Sequence, residues 1–413
     1  MSAFSIPLSG LSATSSSLNT IANNLANLNT DGYKDETLNF GDIFNAAQGT
    51  SGNGDPIQIG SGVQTESTTS NFTNGGLTST GIPSNMALQG NGFFVVQSAS
   101  GQTNYTRAGD FTTNDAGQIV TPGGQLVMGY PAVNGVVNTS AALTPISVSS
   151  AGTVPGAATS TFNMTTNLNA DAAVNDTYST PLTVYDSLGN SHSLTVTYTN
   201  TAAGSWTYNI TLPAADTGGT GAPTSLATGT LTFNSNGVLT APTGTVTGIN
   251  ITGLADKASN MSLTWNLNGT GTSPTITQLA STSATSATNQ NGYGVGTLTS
   301  YSVLSDGTVE GLFSNNQTQA LGQVAVANFA NVQGLQQSAG GSYQSTLASG
   351  AAVVGQAGVA GNGTITGGSL EGSNVNLSTE FANMIVAQQG YEANAKVLTT
   401  LDQVSQATIQ LIS

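Results

Sequence analysis

Ile21-Ala22-Asn23-Asn24-Leu25-Ala26-Asn27-Leu28-Asn29-Thr30-Asp31-Gly32-Tyr33-Lys34 is the stretch on which the fold turns. Ile21, Leu25 and Leu28 recur at the spacing of one helix face, and Asp31-Gly32 is a strong turn signal that should stop the helix near Asn29. Upstream, Phe4, Leu8, Leu11, Leu18 and Ala22 extend the stripe, no proline falls between Leu8 and Asn29, and Gly10 is the one weak point. The other end of the chain mirrors it. Leu377, Phe381, Met384, Ile385, Tyr391, Leu398, Leu401 and Leu411 predict a second helix from about Asn376 to the last residue, interrupted only by Gly390. Glu380 lies in its first turn, where the helix dipole favours a carboxylate.

Everything between the helices reads as β. Phe93–Val96, Leu182–Tyr185, Leu194–Tyr198 and Val324–Ala327 are strand-like runs, punctuated by turns at Asn91-Gly92, Asn236-Gly237 and Asp306-Gly307. The Ser/Thr/Gly/Ala-rich stretches 149–161, 213–229 and 268–290 read as loops or junctions. A length of 413 residues implies two or three domains. The fold class expected is therefore mostly β with α-helical termini.

Only 6% of residues are charged, against roughly 25% in ordinary soluble domains. The net charge is −15, and the four basic residues Lys34, Arg107, Lys257 and Lys396 are scattered along the chain. Nucleic acid and anionic membrane surfaces both require clustered Lys and Arg, so neither is an expected partner. No apolar run approaches the ~20 residues of a membrane span. Cysteine is absent, which removes disulfides and thiolate chemistry. No Lys or Arg precedes Lys34 and no apolar run follows Met1, so a cleaved secretory signal is not expected.

The polar faces of the helices are mostly neutral: Ser15, Ser16, Ser17, Asn19, Asn23, Asn24 and Asn27 in the first, Gln388, Gln389, Asn394, Gln403 and Gln406 in the second. Free surface helices normally carry Lys and Glu there, whereas amides and hydroxyls can be buried once hydrogen-bonded. The pattern suits helices packed among several neighbours, and equally a plain antiparallel pair within one monomer.

Candidate chemistry is sparse. Asp186, Ser187 and His192 lie close together, but on one short hairpin turn, whereas triad members converge from separate elements. Asp171, Asn175 and Asp176 lack the spacing of a calcium loop, and Gly292–Gly296 lacks the Lys-Ser/Thr of a phosphate loop. No enzyme activity, metal or cofactor is expected.

Residues 21–34 resemble the N-terminal signature of the flagellar rod and hook proteins. Leu370–Gln389, continued by Tyr391, Glu392, Asn394 and Ala395, is similar to that family's matching C-terminal end. Pro181–Tyr198 resembles the inserted outer domain of hook subunits, and Leu321–Leu335 the return strand of their middle domain. Rod proteins are similar at the ends and around Leu88–Val96 and Tyr105–Phe111, but are shorter.

The resemblance implies a structural subunit of the flagellar hook, a curved helical homopolymer that passes motor torque to the filament. A distal rod subunit is the runner-up, and a secreted β-rich adhesin a more remote third. It further implies residues 1–30 with 370–413 as a coiled-coil inner domain, 31–71 as a connecting segment, 72–148 with 291–366 as a middle β domain and 149–290 as an outer β domain. The assembly interface implied is Leu8, Leu11, Leu18, Ile21, Asn24, Leu25, Leu28, Leu377, Phe381, Met384, Ile385, Tyr391, Leu398 and Leu401. Partners implied are further copies of the chain, the distal rod, the hook cap, the hook–filament junction proteins and the flagellar type III export apparatus, with an extracellular location. Phe40 and Phe44 resemble a short aromatic export motif; alternatively, four residues apart, they would stack on one helical turn.

Overall fold

The computed structural model describes residues 4–44, 60–149, 152–268, 271 and 273–412. The chain divides into two compact units, one built from 1–150, 301–311 and 319–413, the other from 151–300 and 312–318.

The first unit carries both helices, α1 (Ser5–Ala26) and α2 (Leu377–Ile412). The chain leaves α1 through a turn in which Gly32 takes a left-handed φ of 69°, a conformation that costs glycine little. Strands β1 (Glu36–Phe44) and β2 (Gly60–Ser70) follow as an antiparallel pair with irregularities after Asn39 and Asp42. The expected helical stack of Phe40 on Phe44 is thereby overturned, because both residues lie on an extended strand. The Phe44 side chain, like that of Leu411, falls outside the described residues.

The β body of this unit centres on Phe93–Gln97. Phe93 to Val96 are buried on both faces, as expected of an apolar run in a central strand. The strand pairs antiparallel with Thr103–Thr106, with Leu126–Val133 and with Val326–Asn328, so segments more than 200 residues apart in sequence share one sheet. Phe93 makes edge contacts with Phe72, Phe329 and Tyr343 at 5.4–5.9 Å, and Phe94 meets Phe111 from the opposite face.

The second unit holds two five-stranded sheets. One is an antiparallel meander of Thr177–Tyr185, Ser191–Ala202, Ser205–Leu212, Thr224–Phe233 and Leu239–Ala241. Its strands alternate buried and exposed residues, and their inward side chains, with those of the other sheet, form a single apolar core around Trp206 and Trp265. Both expected strands around Leu182 and Leu194 lie in this meander.

The stretches read as loops need correction. Residues 213–229 contain the start of strand Thr224–Phe233, and 268–290 contains strands Ile276–Leu279 and Ala284–Gln290. Their pairing is carried by the backbone and by side-chain hydroxyls and amides, such as Thr166 with Thr285 at 3.0 Å and Asn289 to Asn163 at 3.1 Å. Apolar alternation, the signal sought in the sequence, is weak there.

Candidate assembly surface and buried ionic clusters

α1 and α2 run antiparallel in close contact. A Cβ added at Gly10 would lie 2.8 Å from the Asn394 side chain, and one at Gly390 would lie 3.3 Å from Thr14. Further along, Asn24 meets Glu380. The two glycines read as weak points are thus where the helices approach most closely, and Ala13 and Ala387 are buried on the same helices. Small residues make this pairing, which leaves large apolar side chains unused.

Those side chains remain exposed. Stepping about 100° per residue along α2, Glu380, Ala387, Gly390 and Asn394 form the strip toward α1, continued by half-buried Leu398 and Leu401. Leu377, Phe381 and Ile385 lie to one side of it, and Val386, Val397 and Val404 to the other; all are exposed. Tyr391 sits on the border and Met384 is half-buried. On α1, Leu8 is exposed, Leu11, Leu18 and Leu25 are half-buried and Ile21 is buried; Leu28, in the turn beyond the helix, is half-buried. Alongside, a cleft of about 410 Å³ is lined by Ile21, Leu38, Phe40, Glu380 and Ala387.

Asn24 departs from its expected role at an interface. Its amide is buried and donates to Asp35 at 2.7 Å, to the Glu36 carbonyl at 2.8 Å and to Glu380 at 3.4 Å. Its oxygen accepts from the Tyr33 hydroxyl and the Glu36 N–H. Every polar atom of the side chain is therefore satisfied within the subunit. Burial, the largest cause, raises the Asp35, Glu36 and Glu380 carboxyls above their ordinary values. Glu380 is thus a buried partner of Asn24 as well as a residue of the first helical turn.

A second cluster ties the outgoing chain to the returning one. The Gly32 N–H donates to the Glu371 carbonyl at 2.7 Å, and the Asp35 N–H to Asn374 Oδ1 at 2.8 Å. Lys34, fully buried, sits 2.6 Å from Glu371 Oε1 and also donates to the Thr73 carbonyl. Arg107 lies 3.8 Å from Glu371 Oε2 and 5.3 Å above the Phe93 ring. Burial lowers both cations from their ordinary values, and Glu371 opposes that shift. Two basic residues that are 73 positions apart in sequence thus share one carboxylate, which their scattering along the chain concealed.

The second unit has its own buried cluster. His192 Nε2 lies 3.1 Å from Asp186 Oδ2 and 3.7 Å from Asp256 Oδ2, while Nδ1 is 3.2 Å from Asp216 Oδ2. Burial pulls the imidazole down, but Asp186 and Asp216 outweigh it and its pKa is raised. For Asp186, burial is outweighed by hydrogen bonding with Asp256, His192 and two backbone amides, which holds the carboxyl at about 2. The Ser187 hydroxyl accepts from the Ser259 N–H at 2.9 Å. Asp216 and Asp256, absent from the sequence reading, are brought to His192 by the fold.

Four family descriptions match in chain order: flagella basal body rod protein over 6–34, flagellar hook protein FlgE/F/G D1 domain over 87–156, flagellar basal body protein FlaE D2 domain over 157–293, and flagellar basal body rod FlgEFG protein C-terminal over 366–411. The flagellar hook protein FlgE of Salmonella typhimurium is 36% identical over 99% of this chain and 99% of its own. The chain belongs to the flagellar hook protein family.

The Escherichia coli K12 flagellar hook protein FlgE is 35% identical over 99% of this chain and 100% of its own length. A crystal structure of Helicobacter pylori flagellar hook protein FlgE2 aligns with a TM-score of 0.47 at 15% identity, covering 70% of this chain and 98% of that one. The two terminal signatures of this hook-family chain meet in space: Asn24 and Lys34 from the first touch Glu380 and Glu371 from the second. Among the described residues, no helix is long and apolar enough to cross a membrane.

Proposed function

We propose that the chain is a structural subunit of the flagellar hook and that it polymerises through its terminal helices into a curved tube. The observation that carries this is the apolar surface of α2 on both sides of its strip toward α1. Its occupants are the helices of further copies. Contacts on two sides that do not close on themselves generate an open helical array. In that array Leu8, Leu11, Leu18, Leu25, Leu28, Leu377, Phe381, Met384, Ile385, Tyr391, Leu398 and Leu401 make the inner layer, with Ile21 packing beneath it and Asn24 bracing it. Residues 72–148 with 291–366 form the middle layer and 149–290 the outer one, joined to the helices by the segment 31–71.

The outer layer lets the tube bend as it turns, acting as a universal joint. Its polar, charge-poor surface permits neighbouring copies to slide, where large apolar contacts would lock them. The role requires no catalysis: the Ser187 hydroxyl is engaged by Ser259, and both ring nitrogens of His192 face carboxylates. Export proceeds through the flagellar type III apparatus, with Phe40 and Phe44 as the candidate motif. Phe40 is exposed on β1, which supports that assignment. The distal rod, hook cap and hook–filament junction proteins are the proposed neighbours in the flagellum.

Phe381→Asp and Ile385→Asp test the reading, since these side chains are 50% and 55% exposed and the isolated subunit tolerates a charge there. Electron microscopy under polymerising conditions should show tubes for the unaltered chain and folded, unassembled protein for either variant. Normal tubes from both would sink the proposal. Immunogold labelling of intact flagella locates the chain in the hook or in the rod.

A further inference from the structure

The cluster around His192 has more anionic capacity than its one imidazole balances. Asp186 follows strand Thr177–Tyr185, His192 opens the next strand, Asp216 lies on the short turn Ala214–Thr217, and Asp256 lies in the loop after strand Thr245–Ile251. The Ala255 N–H donates to the Asp216 carbonyl at 2.9 Å, fixing that loop against the turn. Asp186 is fully buried, His192 nearly so, and Asp256 is 27% exposed.

The ring is placed with Nδ1 toward Asp216 and Nε2 toward both Asp186 and Asp256. A proton on Nδ1, donated to Asp216, leaves Nε2 with its lone pair directed at the Asp186 and Asp256 oxygens. Lone pair then faces lone pair, in a pocket where unbalanced charge is costly. A second proton on the ring or a metal cation held between the three atoms relieves that arrangement.

The spacing says which kind. Zinc sits about 2.0–2.2 Å from nitrogen and oxygen ligands in tetrahedral sites, so neighbouring ligand atoms stand about 3.3–3.6 Å apart. Here the two nitrogen–oxygen separations are 3.1 and 3.7 Å, and all three candidate ligand atoms lie within 4.8 Å of one another. The surroundings also fit. A metal-bound histidine normally gives its other ring N–H to a carboxylate, the place Asp216 occupies. The other oxygen of Asp186 is engaged by the Leu188 and Asn190 backbone amides at 2.8 and 2.9 Å, so Oδ2 is the oxygen turned toward the ring. The Asn190 side-chain amide bridges the same two carboxylates at 3.4 and 3.0 Å. Turned end for end, it offers an oxygen as a fourth ligand.

We propose that His192, Asp186 and Asp256 form a divalent-cation site of the zinc class, with Asp216 as the positioning residue that orients the imidazole. The ion would staple the hairpin at 186–191 to the loops at 214–217 and 254–258 within the second unit.

The full chain, stripped with a chelator and dialysed against zinc, provides the test. Bound metal is measured by elemental analysis and calorimetry, and cobalt substitution is followed by visible absorption. One zinc per chain and the intense visible bands of tetrahedral cobalt are expected. Asp256→Asn, at a partly exposed position, should remove both while tryptophan emission shows the unit still folded. Asp216→Asn should weaken binding about 10–100-fold, and Asp171→Asn should change nothing. No retained zinc in the unaltered chain, or equal retention in Asp256→Asn, overturns the proposal and leaves the site occupied by a proton on His192.

Discussion

The two units bury their few charges in opposite ways. At Glu371, two cations converge on one carboxylate; at His192, three carboxylates converge on one imidazole. The first arrangement joins parts of the chain that are far apart in sequence and sits beside the aromatic core. The second closes a local set of turns over a sandwich whose stability is apolar. In a chain with 6% charged residues, these buried ionic groups act as joints, while others such as Asp171, Glu392 and Lys396 stand exposed.

The two units can be followed separately, because both tryptophans, Trp206 and Trp265, belong to the second and both long helices to the first. Glu371→Ala strands Lys34 and Arg107 without their counter-ion, and loss of one partner of a buried pair costs about 3–5 kcal/mol. Urea titration should move the helical circular-dichroism transition to lower denaturant and leave tryptophan emission in place; coincident shifts would break the contrast. Leu194→Ala, fully buried in the sandwich, is the converse and costs about 2–5 kcal/mol. There the emission midpoint should fall while the helical signal holds.

Smaller changes sharpen the picture of the helix pair. Gly10→Val drives its Cβ toward Asn394, and overpacking of this kind costs about 1–3 kcal/mol. Adding Asn394→Ala should restore most of that loss, and no rescue would mean that the helices do not meet there. The smallest effect is on pH. Asp35, Glu36 and Glu380 have raised carboxyl pKa values from burial first of all, so the folded state holds protons that the unfolded chain has released. Acidification through that window, from the raised values toward the ordinary carboxylate range, should raise the helical melting midpoint, and it should level off above it. Glu380→Gln should flatten part of this dependence; an unchanged profile would separate Glu380 from the effect.

The periodic parts of the fold were legible in the sequence. Both helices, and the strands around Leu182, Leu194 and Phe93, announce themselves through apolar spacing. Strands in 224–233 and 276–290 were missed because Thr and Asn hydroxyls and amides replace the alternating apolar pattern there. Phe40 was open to a helical reading because spacing alone does not separate a helical turn from a strand. The candidate surface was partly legible. Leu377, Phe381 and Ile385 stand exposed, whereas Asn24 turned inward, where Asp35 and Glu380 hold it. Glu371 lies within the C-terminal signature, but its ionic role carried no signal, because its partners Lys34 and Arg107 come from distant segments. Gly10 and Gly390 read as weak points of the helical stripes, whereas the structure makes them places of close approach between the helices.

The antiparallel pairing of the ends also sets an order in time. Asn24 and Glu380 touch across 356 residues of chain, so α1 leaves the ribosome, or any narrow channel entered amino end first, long before its partner. Until α2 arrives, a Ser- and Asn-rich helix of 22 residues has only its own weak propensity and the β1–β2 ribbon to support it. A chain ending at residue 376 should therefore lose the helical signal of both segments, not of α2 alone, while the sandwich around Trp206 and Trp265 stays folded. Loss of both signals would make the first part of the chain to emerge the last to become structured, committed only once the whole subunit is present.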